Sequence, residues 1–459
     1  MNQSIPEKIK KNIPHKALDV FNKFTKVGLE IYLVGGAVRD LLLGQKNIVD
    51  LDFTTNATPK KIQSLFFKSF YDNQYGTVKV PYKKDVIEIT TYRSEKEYTD
   101  FRHPNQVTWG KTIEEDLSRR DFTVNAIALG PNKKPKTKDQ QPTIKLIDSF
   151  NGQKDLKDKI IRCVGNPDKR FGEDALRILR AIRLAIKLEF EIEPKTFTAL
   201  TKNVSLLNNI SGERIREELF KILLDKNIDR GFQLMKKAKI LDKILPEVTK
   251  GYGMKQKGHH LWNVWKHSVL TVKYCPSIDP LVKLAALLHD VGKPVVVKDI
   301  DGERTFYNHE VIGASIARNI GQRLRLANKD LDRLTRLVRW HQFSVSEKQT
   351  NKAVKRFIRH VGKENIDDML DLRTGDRLGS GAKETSWRTE EFKKRLIEVQ
   401  KQPFTVTDLK VNGRDVMKIL KISPGPKVGQ ALNEIFEKVD NDKLPNERKI
   451  LLKEIKLLK

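Results

Sequence analysis

The sequence predicts an α/β head, in which a mixed sheet is flanked by helices, followed by a mostly α-helical neck, body and tail. In the first 150 residues, short segments rich in Val, Ile and Thr alternate with glycine and polar residues, which is typical of strands. Beyond residue 150, apolar residues recur with the 3.6-residue spacing of amphipathic helices. We therefore divide the chain into a head (1–150), a neck (151–250), a body (251–385) and a tail (386–459).

In the head, an amphipathic helix is expected within residues 1–30. Thr58-Pro59 predicts a helix start, with an N-cap residue followed by proline at the first helical position. Residues 93–112 are polar and lack a clear period, which predicts a long loop. Head strands are expected at 31–34, 48–53, 76–80, 86–92, 122–129 and 144–148. Later helices are expected at 172–190, 212–224, 229–246, 262–275, 279–290, 309–325, 328–341, 351–361 and 388–401.

The charge balance favours a polyanionic partner. The net charge is +29, although lysine is spread along the whole chain, so a merely solvated basic surface is the alternative. No run of 18 apolar residues is present, which predicts no membrane span. The N-terminus lacks the apolar core of a signal peptide, and Cys163 and Cys275 have no metal-type spacing, so we expect a cytoplasmic chain with two inert thiols.

A pair of carboxylates separated by one residue, Asp50 and Asp52, is the first candidate for chemistry. In a strand, residues two apart point to the same side. Two carboxylates placed in this way can hold a pair of Mg²⁺ ions about 3.5–4 Å apart, the arrangement used for in-line displacement at phosphorus. The preceding Gly35 and Gly36 offer backbone amides to a phosphate, so the segment indicates nucleotidyl transfer. Glu88 is the candidate third carboxylate, and an outward-facing strand glutamate is the alternative reading of it.

Arginines supply the candidate phosphate and base contacts. Arg39 and Arg120 can bind phosphate, because the planar guanidinium makes two bonds at once. Asp174, Arg177, Arg180 and Arg183 step by three residues and are expected to form a polar ridge on one helix. An aspartate accepts from the exocyclic amine of cytosine or adenine, whereas an arginine donates to a ring acceptor. The ridge therefore suits selection of C and A over U and G, and a salt-bridged amphipathic helix is the alternative.

These segments resemble the motifs of class II tRNA nucleotidyltransferases, a signature that also occurs in bacterial poly(A) polymerases. The resemblance covers about the first half of the chain and is carried by Val34–Asp40, Asp50–Asp52, Arg119–Ala126 and Glu173–Arg180. It implies a metal site at Asp50 and Asp52 and base selection by Asp174 and Arg177 without a nucleic-acid template. It also implies that Gly36, Arg39, Arg120, Arg180 and Arg183 contact the incoming nucleotide. The segment Asp100–Pro104 resembles the family's flexible loop, which serves the switch from C to A.

A second candidate site lies in the body. His267, His289, Asp290 and Asp376 form a spread H…HD…D set, and His309 and His341 are candidates for a second ion or for phosphate binding. Imidazole with carboxylate suits Mn, Fe, Ni, Zn or Mg, and such an ion can make hydroxide for phosphoester hydrolysis. This region resembles family members that carry an appended HD-type phosphohydrolase domain.

The function expected from the sequence is that of a template-independent CCA-adding tRNA nucleotidyltransferase. It would use CTP, ATP and Mg²⁺, act on tRNA and release pyrophosphate. A poly(A) polymerase or an A-adding enzyme is the first alternative, because its motifs are the same. A phosphohydrolase whose head only holds RNA, and a non-catalytic RNA-binding protein, are the others. The sequence leaves the oligomeric state open.

Overall fold

The computed structural model describes residues 2–4, 7–48, 50–71, 76–83, 85–98, 104–132, 143–256, 261–300, 303–343, 349–400, 404–441 and 443–458. The chain forms two compact units, Met1–Pro246 and Glu247–Lys459. The finer division into head, neck, body and tail stays a prediction.

The first unit contains a mixed sheet. Its strands and those of its smaller sheets are β1 (Asn2–Ser4), β2 (Ile31–Val34), β3 (Asp52–Thr55), β4 (Phe70–Tyr71), β5 (Thr77–Tyr82), β6 (Asp85–Thr91), β7 (Arg93–Tyr98), β8 (Pro104–Trp109), β9 (Ala128–Pro131), β10 (Ile144–Ile147), β11 (Ile160–Ile161) and β12 (Glu191–Ile192). In the described part of the chain, eight of them form one sheet in the order β1-β10-β9-β2-β3-β6-β5-β4. The β3–β6 pair is parallel, and its neighbours in the sheet are antiparallel.

Helices flank this sheet and follow it. They are α1 (Glu7–Lys11), α2 (His15–Lys26), α3 (Gly36–Leu42), α4 (Pro59–Leu65), α5 (Ile113–Ser118), α6 (Gly152–Asp158), α7 (Pro167–Glu173), α8 (Arg177–Leu188), α9 (Pro194–Lys202), α10 (Gly212–Leu223), α11 (Ile228–Lys237), α12 (Leu241–Ile244) and α13 (Pro246–Thr249). The expected start of α4 is confirmed, since the backbone N–H of Lys61 donates to the Thr58 hydroxyl and Pro59 is the first helical residue.

The two faces of the sheet have separate apolar layers. On one face, Phe53 packs edge-on against Phe21 of α2, with ring centroids 5.9 Å apart. On the other face, Val34, Ala128 and Ile147 join a buried cluster with residues of α5. The fold class predicted from the sequence, a mixed sheet with flanking helices followed by mostly helical structure, is confirmed.

Four local predictions for residues 1–150 are wrong, and the expected helices at 172–190 and 229–246 are each divided into two. Residues 1–30 form β1, α1 and α2 rather than one helix, and the expected loop at 93–112 contains the β7–β8 hairpin. The expected strand at 122–129 begins as a 3-10 turn at Thr123–Asn125, because Asp121 accepts from the backbone N–H of Phe122 and interrupts the extended chain. The expected strand at 48–53 begins only at Asp52.

The second unit is mostly helical. It contains a short hairpin, β13 (Lys298–Ile300) and β14 (Glu303–Thr305), and its helices are α14 (Val264–Tyr274), α15 (Pro280–Leu288), α16 (Lys293–Val296), α17 (His309–Arg323), α18 (Asn328–Trp340), α19 (Asn351–Val361), α20 (Ile366–Gly379), α21 (Trp387–Val399), α22 (Gly413–Leu420), α23 (Pro426–Asp440) and α24 (Arg448–Leu457). The last three helices share an apolar core that includes Val416, Ile435 and Leu451.

Sequence reasoning missed α20, which carries Asp376. Two glycines, Gly375 and Gly379, stand on the side of α20 that faces α14, and a Cβ atom at Gly375 would lie 2.5 Å from the carbonyl oxygen of Thr271. The glycines permit this close approach of the two helices, but in the sequence they weaken the helical signal.

Candidate functional site

The register of three neighbouring strands places two of the predicted carboxylates side by side. Asp52, the first residue of β3, lies opposite Val34 of β2 and opposite Glu88 of β6. Residues directly opposite each other project from the same face of a sheet. Asp52 and Glu88 therefore share one face, and the exposed Asp50 precedes the strand by two residues.

A glycine turn closes over the Asp52 carboxylate. Gly35 has a φ of 72°, in the region that favours glycine. A Cβ atom there would lie 3.6 Å from Asp52 Oδ2 and 3.3 Å from Arg120 Nη1. The turn thus brings bare backbone next to both the carboxylate and the arginine, as close binding of a phosphate requires.

Arg39 follows this turn but is buried beneath it. Its Nη1 donates to Asn125 Oδ1 at 2.8 Å, and its Nε donates to Asp40 Oδ1 at 2.8 Å. The guanidinium also lies against Gly36. These bonds tie the turn to the 3-10 segment at Asn125, and a contact of Arg39 with a nucleotide stays a prediction.

One cavity of about 360 Å³ collects most of the predicted residues of the first unit. It is lined by Asp52, Glu88, Arg120, Asp174, Arg177 and Arg180, together with Arg93, Arg119, Asp121 and Arg214. Arg183 is held elsewhere, since its Nε donates to Glu218 Oε2 at 2.6 Å. Of the ten described charged residues that line this cavity, six were candidates in the sequence, whereas Arg93, Arg119, Asp121 and Arg214 were not.

The expected continuous ridge from Asp174 to Arg183 is wrong, because the helix is interrupted. Asp174 has extended backbone between α7 and α8, and its Oδ1 accepts from the backbone N–H of Leu176 at 3.1 Å. A short polar side chain that bonds its own backbone competes with the helical hydrogen bonds in this way. Asp174 consequently reaches the cavity from a turn rather than from a helix face.

Asp174 and Arg177 do not pair with each other. Asp174 Oδ2 accepts from Arg214 Nη2 at 2.8 Å, whereas Arg177 Nη1 donates to Glu173 Oε2 at 2.7 Å. Arg214 lies in the first turn of α10, where a positive charge opposes the helix dipole. That unfavourable position is the signal in the sequence that could have indicated a carboxylate partner.

Two buried aspartates hold the arginines of the cavity. Burial alone would raise the pKa of Asp121, but the charge and hydrogen bonds of Arg180 outweigh it and hold that pKa well below its usual range. Likewise, Arg119 and Arg120 outweigh the burial of Asp116 and lower its pKa. Both aspartates are therefore ionised, and they fix the positions of the guanidinium groups.

The environment of the Asp52 carboxylate shifts its pKa in the direction opposite to that of Asp116 and Asp121. It is accessible from the cavity, but the surrounding protein atoms withdraw it from bulk solvent and raise its pKa above the usual value. Arg120 opposes this shift, while the negative charges of Glu88 and Asp50 add to it. Asp50, Asp52 and Glu88 therefore repel each other, close to the aspartates that bind the arginines. This group of carboxylates suits a cation that prefers oxygen ligands, as Mg²⁺ does.

In the second unit, all six predicted histidines and aspartates meet. Two groups of ligand atoms, each within 4.8 Å of one another, could hold a metal ion: His267, His289 and Asp290, and Asp290, His309 and His341. Asp376 Oδ1 lies 3.2 Å from His267 Nε2 and completes the first group.

Asp290 is shared by the two groups. Its Oδ2 lies 3.2 Å from His289 Nε2, and its Oδ1 lies 3.4 Å from His309 Nε2. The Nδ1 atoms of three histidines are each bonded to a backbone carbonyl three residues earlier in the chain, which turns the Nε2 atoms towards Asp290; they are His289, His309 and His341. Such outer bonds orient imidazoles for metal binding.

This histidine cluster opens into a cavity of about 560 Å³. Burial and the neighbouring His289 lower the pKa of His341 to about 3, so its imidazole is neutral and able to act as a ligand. Lys293, Arg304 and Arg373 also line the cavity, and each lies in an ion pair, with Asp290, Asp299 and Asp376 respectively. Gly292 permits the tight packing beside the cluster, because a Cβ atom there would collide with the His309 carbonyl.

Comparison with known proteins identifies the family. Models of the poly A polymerase head domain, of the RNA and SrmB-binding site of polymerase A and of tRNA nucleotidyltransferase domain 2 match residues 31–162, 189–251 and 315–455. A CCA-adding enzyme of Pediococcus pentosaceus is 31% identical over 440 residues, which cover 96% of each chain. The chain belongs to the CCA-adding enzyme family.

Other members of the CCA-adding enzyme family align over shorter stretches or show the fold. The relative from Lactobacillus helveticus is 44% identical over 220 residues, so the chain spans about half of its length (52%) in that alignment. The solved CCA-adding enzyme of Bacillus stearothermophilus, in complex with CTP, is 28% identical, with a TM-score of 0.69 over 98% of this chain and 97% of that chain. That of Thermotoga maritima, at 22% identity and a TM-score of 0.60 over 99% and 98%, supports the fold.

Two further predictions concern a membrane span and the segment that resembles the family's flexible loop. Among the described residues, no helix has both the length and the apolar character needed to cross a membrane. Residues 99–103, which include most of the segment that resembles the family's flexible loop, lie outside the described residues.

The Asp121–Arg180 pair should make stability depend on pH. Because the folded-state pKa of Asp121 is lowered, its contribution is present above the pKa of the unfolded chain and is lost as pH falls below it. Asp121→Asn should lower the free energy of unfolding at pH 7 by about 1–3 kcal/mol, since Arg180 loses its ionised partner but its side chain, 37% exposed, keeps contact with solvent. In urea titrations, the difference from wild type should be constant above about pH 5 and should shrink as pH falls below it.

Asp168→Asn is the matched control, because Asp168 is exposed and lies 3.6 Å from Lys202 in a surface pair. It should change the stability at pH 7 by less than about 1 kcal/mol. A constant difference between wild type and Asp121→Asn across the pH series would contradict the assignment.

Proposed function

We propose that this protein is a template-independent CCA-adding tRNA nucleotidyltransferase, which adds C, C and A from CTP and ATP to tRNA 3′ ends. One observation carries the proposal. A single cavity joins two carboxylates suited to Mg²⁺, Asp52 and Glu88, with arginines suited to a triphosphate and an aspartate suited to selecting a base. The membership of the family supports the same activity.

In this proposal Asp50 and Asp52, with Glu88 as the third carboxylate, hold Mg²⁺. The raised pKa of Asp52 supports the assignment, because a cation would relieve the repulsion from Glu88 and Asp50. Bound there, the ions would neutralise negative charge on the triphosphate and make the attacking 3′-hydroxyl easier to deprotonate. The carboxylates contribute fixed positions on neighbouring strands, so the sheet sets the distance between them.

The arginines bind the triphosphate. Arg120 lies next to the Gly35 turn and is held by Asp116, and Arg180 is held by Asp121. An arginine that is already fixed by a buried carboxylate loses less side-chain entropy when it binds phosphate. Gly35 and Gly36 supply the backbone of the turn. Arg39, which is bonded to Asn125, and Arg183, which is bonded to Glu218, are the other arginines proposed to contact the nucleotide.

Asp174 and Arg177 select the base. The Asp174 carboxylate accepts from the amine of cytosine or adenine, whereas uracil and guanine present a carbonyl oxygen to it and are rejected. Arg214 and the Leu176 amide hold this carboxylate in place. Because protein groups read the base, a nucleic-acid template is not needed.

Assays on tRNA ending in -N, -NC and -NCC test the proposal. With CTP and ATP, the wild type should convert all three to the CCA end. Asp52→Asn should lower kcat by roughly 10²-fold or more, because a metal-binding carboxylate is lost. The control Asp85→Asn, at the exposed start of β6, should keep the activity. A long homopolymer of A, or addition of A to the -NCC substrate alone, would favour the poly(A) polymerase or A-adding alternatives.

Base selection has its own test. Asp174→Ala should reduce the preference for CTP and ATP over UTP and GTP by roughly 10- to 100-fold, since one bond that reads a base is worth about 1–3 kcal/mol. Asp168→Ala in α7 is the control and should keep the preference. An unchanged ratio in Asp174→Ala, measured as incorporation of all four nucleotides, would rule out this role.

A phosphohydrolase activity of the histidine cluster is the second candidate function. The sharing of Asp290 between two groups of ligand atoms favours it, and Arg304 and Arg373, which line the same cavity, suit a phosphoester. His267, His289, Asp290 and Asp376 would hold a divalent ion such as Mn, Ni, Fe, Zn or Mg, and His309 and His341 would serve a second one. In this view the second unit contains the HD-type domain.

Hydrolysis of 2′,3′-cyclic phosphates tests the second candidate. His289→Ala should abolish hydrolysis and leave nucleotide addition unchanged, because it removes a ligand from the histidine cluster alone. His360→Ala, an exposed histidine stacked on Trp340, is the control and should keep both activities. Absence of hydrolysis in wild type after EDTA treatment and resupply of each of the five metals would contradict the proposal.

A further inference from the structure

The sheet face that carries Asp52 is covered on one side of Asp52 and open on the other. Towards β9 and β10, the residues in register with Asp52 are buried in an apolar cluster with α5. Towards β4, the residues in register are, in order, Asp52, Glu88, Lys79 and Phe70. Glu88 and Lys79 are exposed, and Phe70 is 66% exposed.

In the proposed function, on which the inference rests, a defined set of groups binds the nucleotide. The Gly35 turn lies against Asp52 and Arg120, and Arg180 lines the same cavity. These groups take the triphosphate and the base. The reacting 3′-hydroxyl must reach the same metal ions from a different direction, and the open strands β6, β5 and β4 provide one.

We infer that the exposed faces of β5 and β4 bind the single-stranded 3′ end of the RNA, with Lys79 on a phosphate and Phe70 stacked on a base. Neighbouring strands lie about 4.8 Å apart, so Lys79 and Phe70 are roughly 5 and 10 Å beyond Glu88. That spacing matches successive nucleotides of a strand that ends at the metal site. A cation followed by an aromatic ring is the combination that binds single-stranded nucleic acid without reading its sequence.

Continuity with the cavity and charge decide in favour of RNA over a protein partner. Glu88 lines the cavity and also begins the open half of the row, so the surface leads directly into the proposed active site. The side chains along it are a cation and separate apolar groups, such as Val86 at 58% exposure, rather than a continuous apolar patch. If Lys79 is only a cross-strand partner of Glu88, its replacement should leave the salt dependence of RNA binding unchanged.

The test of Lys79 is the salt dependence of the KM for tRNA ending in -NCC. Lys79→Ala should raise this KM about tenfold at low salt and lower the slope of log KM against log salt by about one, since one phosphate contact is lost. The KM for ATP should stay unchanged. Lys60→Ala removes an exposed lysine from α4, which packs against the same strands, and should leave the slope unchanged.

Replacements of Phe70 distinguish the stacking of an aromatic ring on a base from the effect of side-chain shape. Phe70→Leu should raise the KM for tRNA about tenfold, whereas Phe70→Tyr should keep it near the wild-type value, because only an aromatic ring stacks on a base. Phe67→Leu, at a fully exposed aromatic outside the row, is the control. An acceptor stem without a single-stranded end should bind equally well to wild type and Phe70→Leu.

The outcomes are distinct. If wild type adds no nucleotide to any tRNA, the proposed function fails. If wild type adds CCA while Lys79→Ala keeps the salt slope and Phe70→Leu keeps the KM, the function stands and the RNA surface is wrong. A change in the KM for ATP alone, with the tRNA values unchanged, also overturns it.

Discussion

The parallel pairing of β3 with β6 is the constraint on which the first unit depends. It sets Asp52 beside Glu88 on one face, although the two residues are 36 positions apart in the sequence. Two adjacent carboxylates are unfavourable for the protein alone, as the raised pKa of Asp52 indicates. Backbone hydrogen bonds of the sheet hold them together, because a shift of register by one residue would move Asp52 to the opposite, apolar face.

Around this pair, the cavity is built from ion pairs with separate partners. Asp121 holds Arg180, Asp116 holds Arg120, and Arg214 holds Asp174. Each charged group that would meet a ligand is therefore fixed before the ligand arrives, which reduces the entropy lost on binding. A buried charge without its partner would be costly, so the Asp121 pair also ties α8 to the segment before the 3-10 turn, and the Asp174 pair ties α10 to the turn between α7 and α8.

In the second unit, histidines are the side chains that the protein holds in fixed positions. Backbone carbonyls fix three imidazoles, and one carboxylate, Asp290, lies between two groups of ligand atoms. The cluster depends on close helix packing, since Gly292 and Gly375 both lie against neighbouring backbone. This geometry suits metal binding, because the ligand atoms of each group lie close together and outer hydrogen bonds orient the imidazoles.

The sequence by itself determined the fold class, most helices and the chemical groups of both sites, because local spacing and residue type are local properties. It did not determine which residues and strands pair with each other. The ridge from Asp174 to Arg183 followed from an ideal helix, but the Asp174 side chain bonds its own backbone and the helix breaks there. The expected loop at 93–112 contains a hairpin, and the glycines of α20 weaken the helical signal of that segment in the sequence. Tertiary structure decided these points, since strand pairing and glycine-mediated contact require partners distant in the chain.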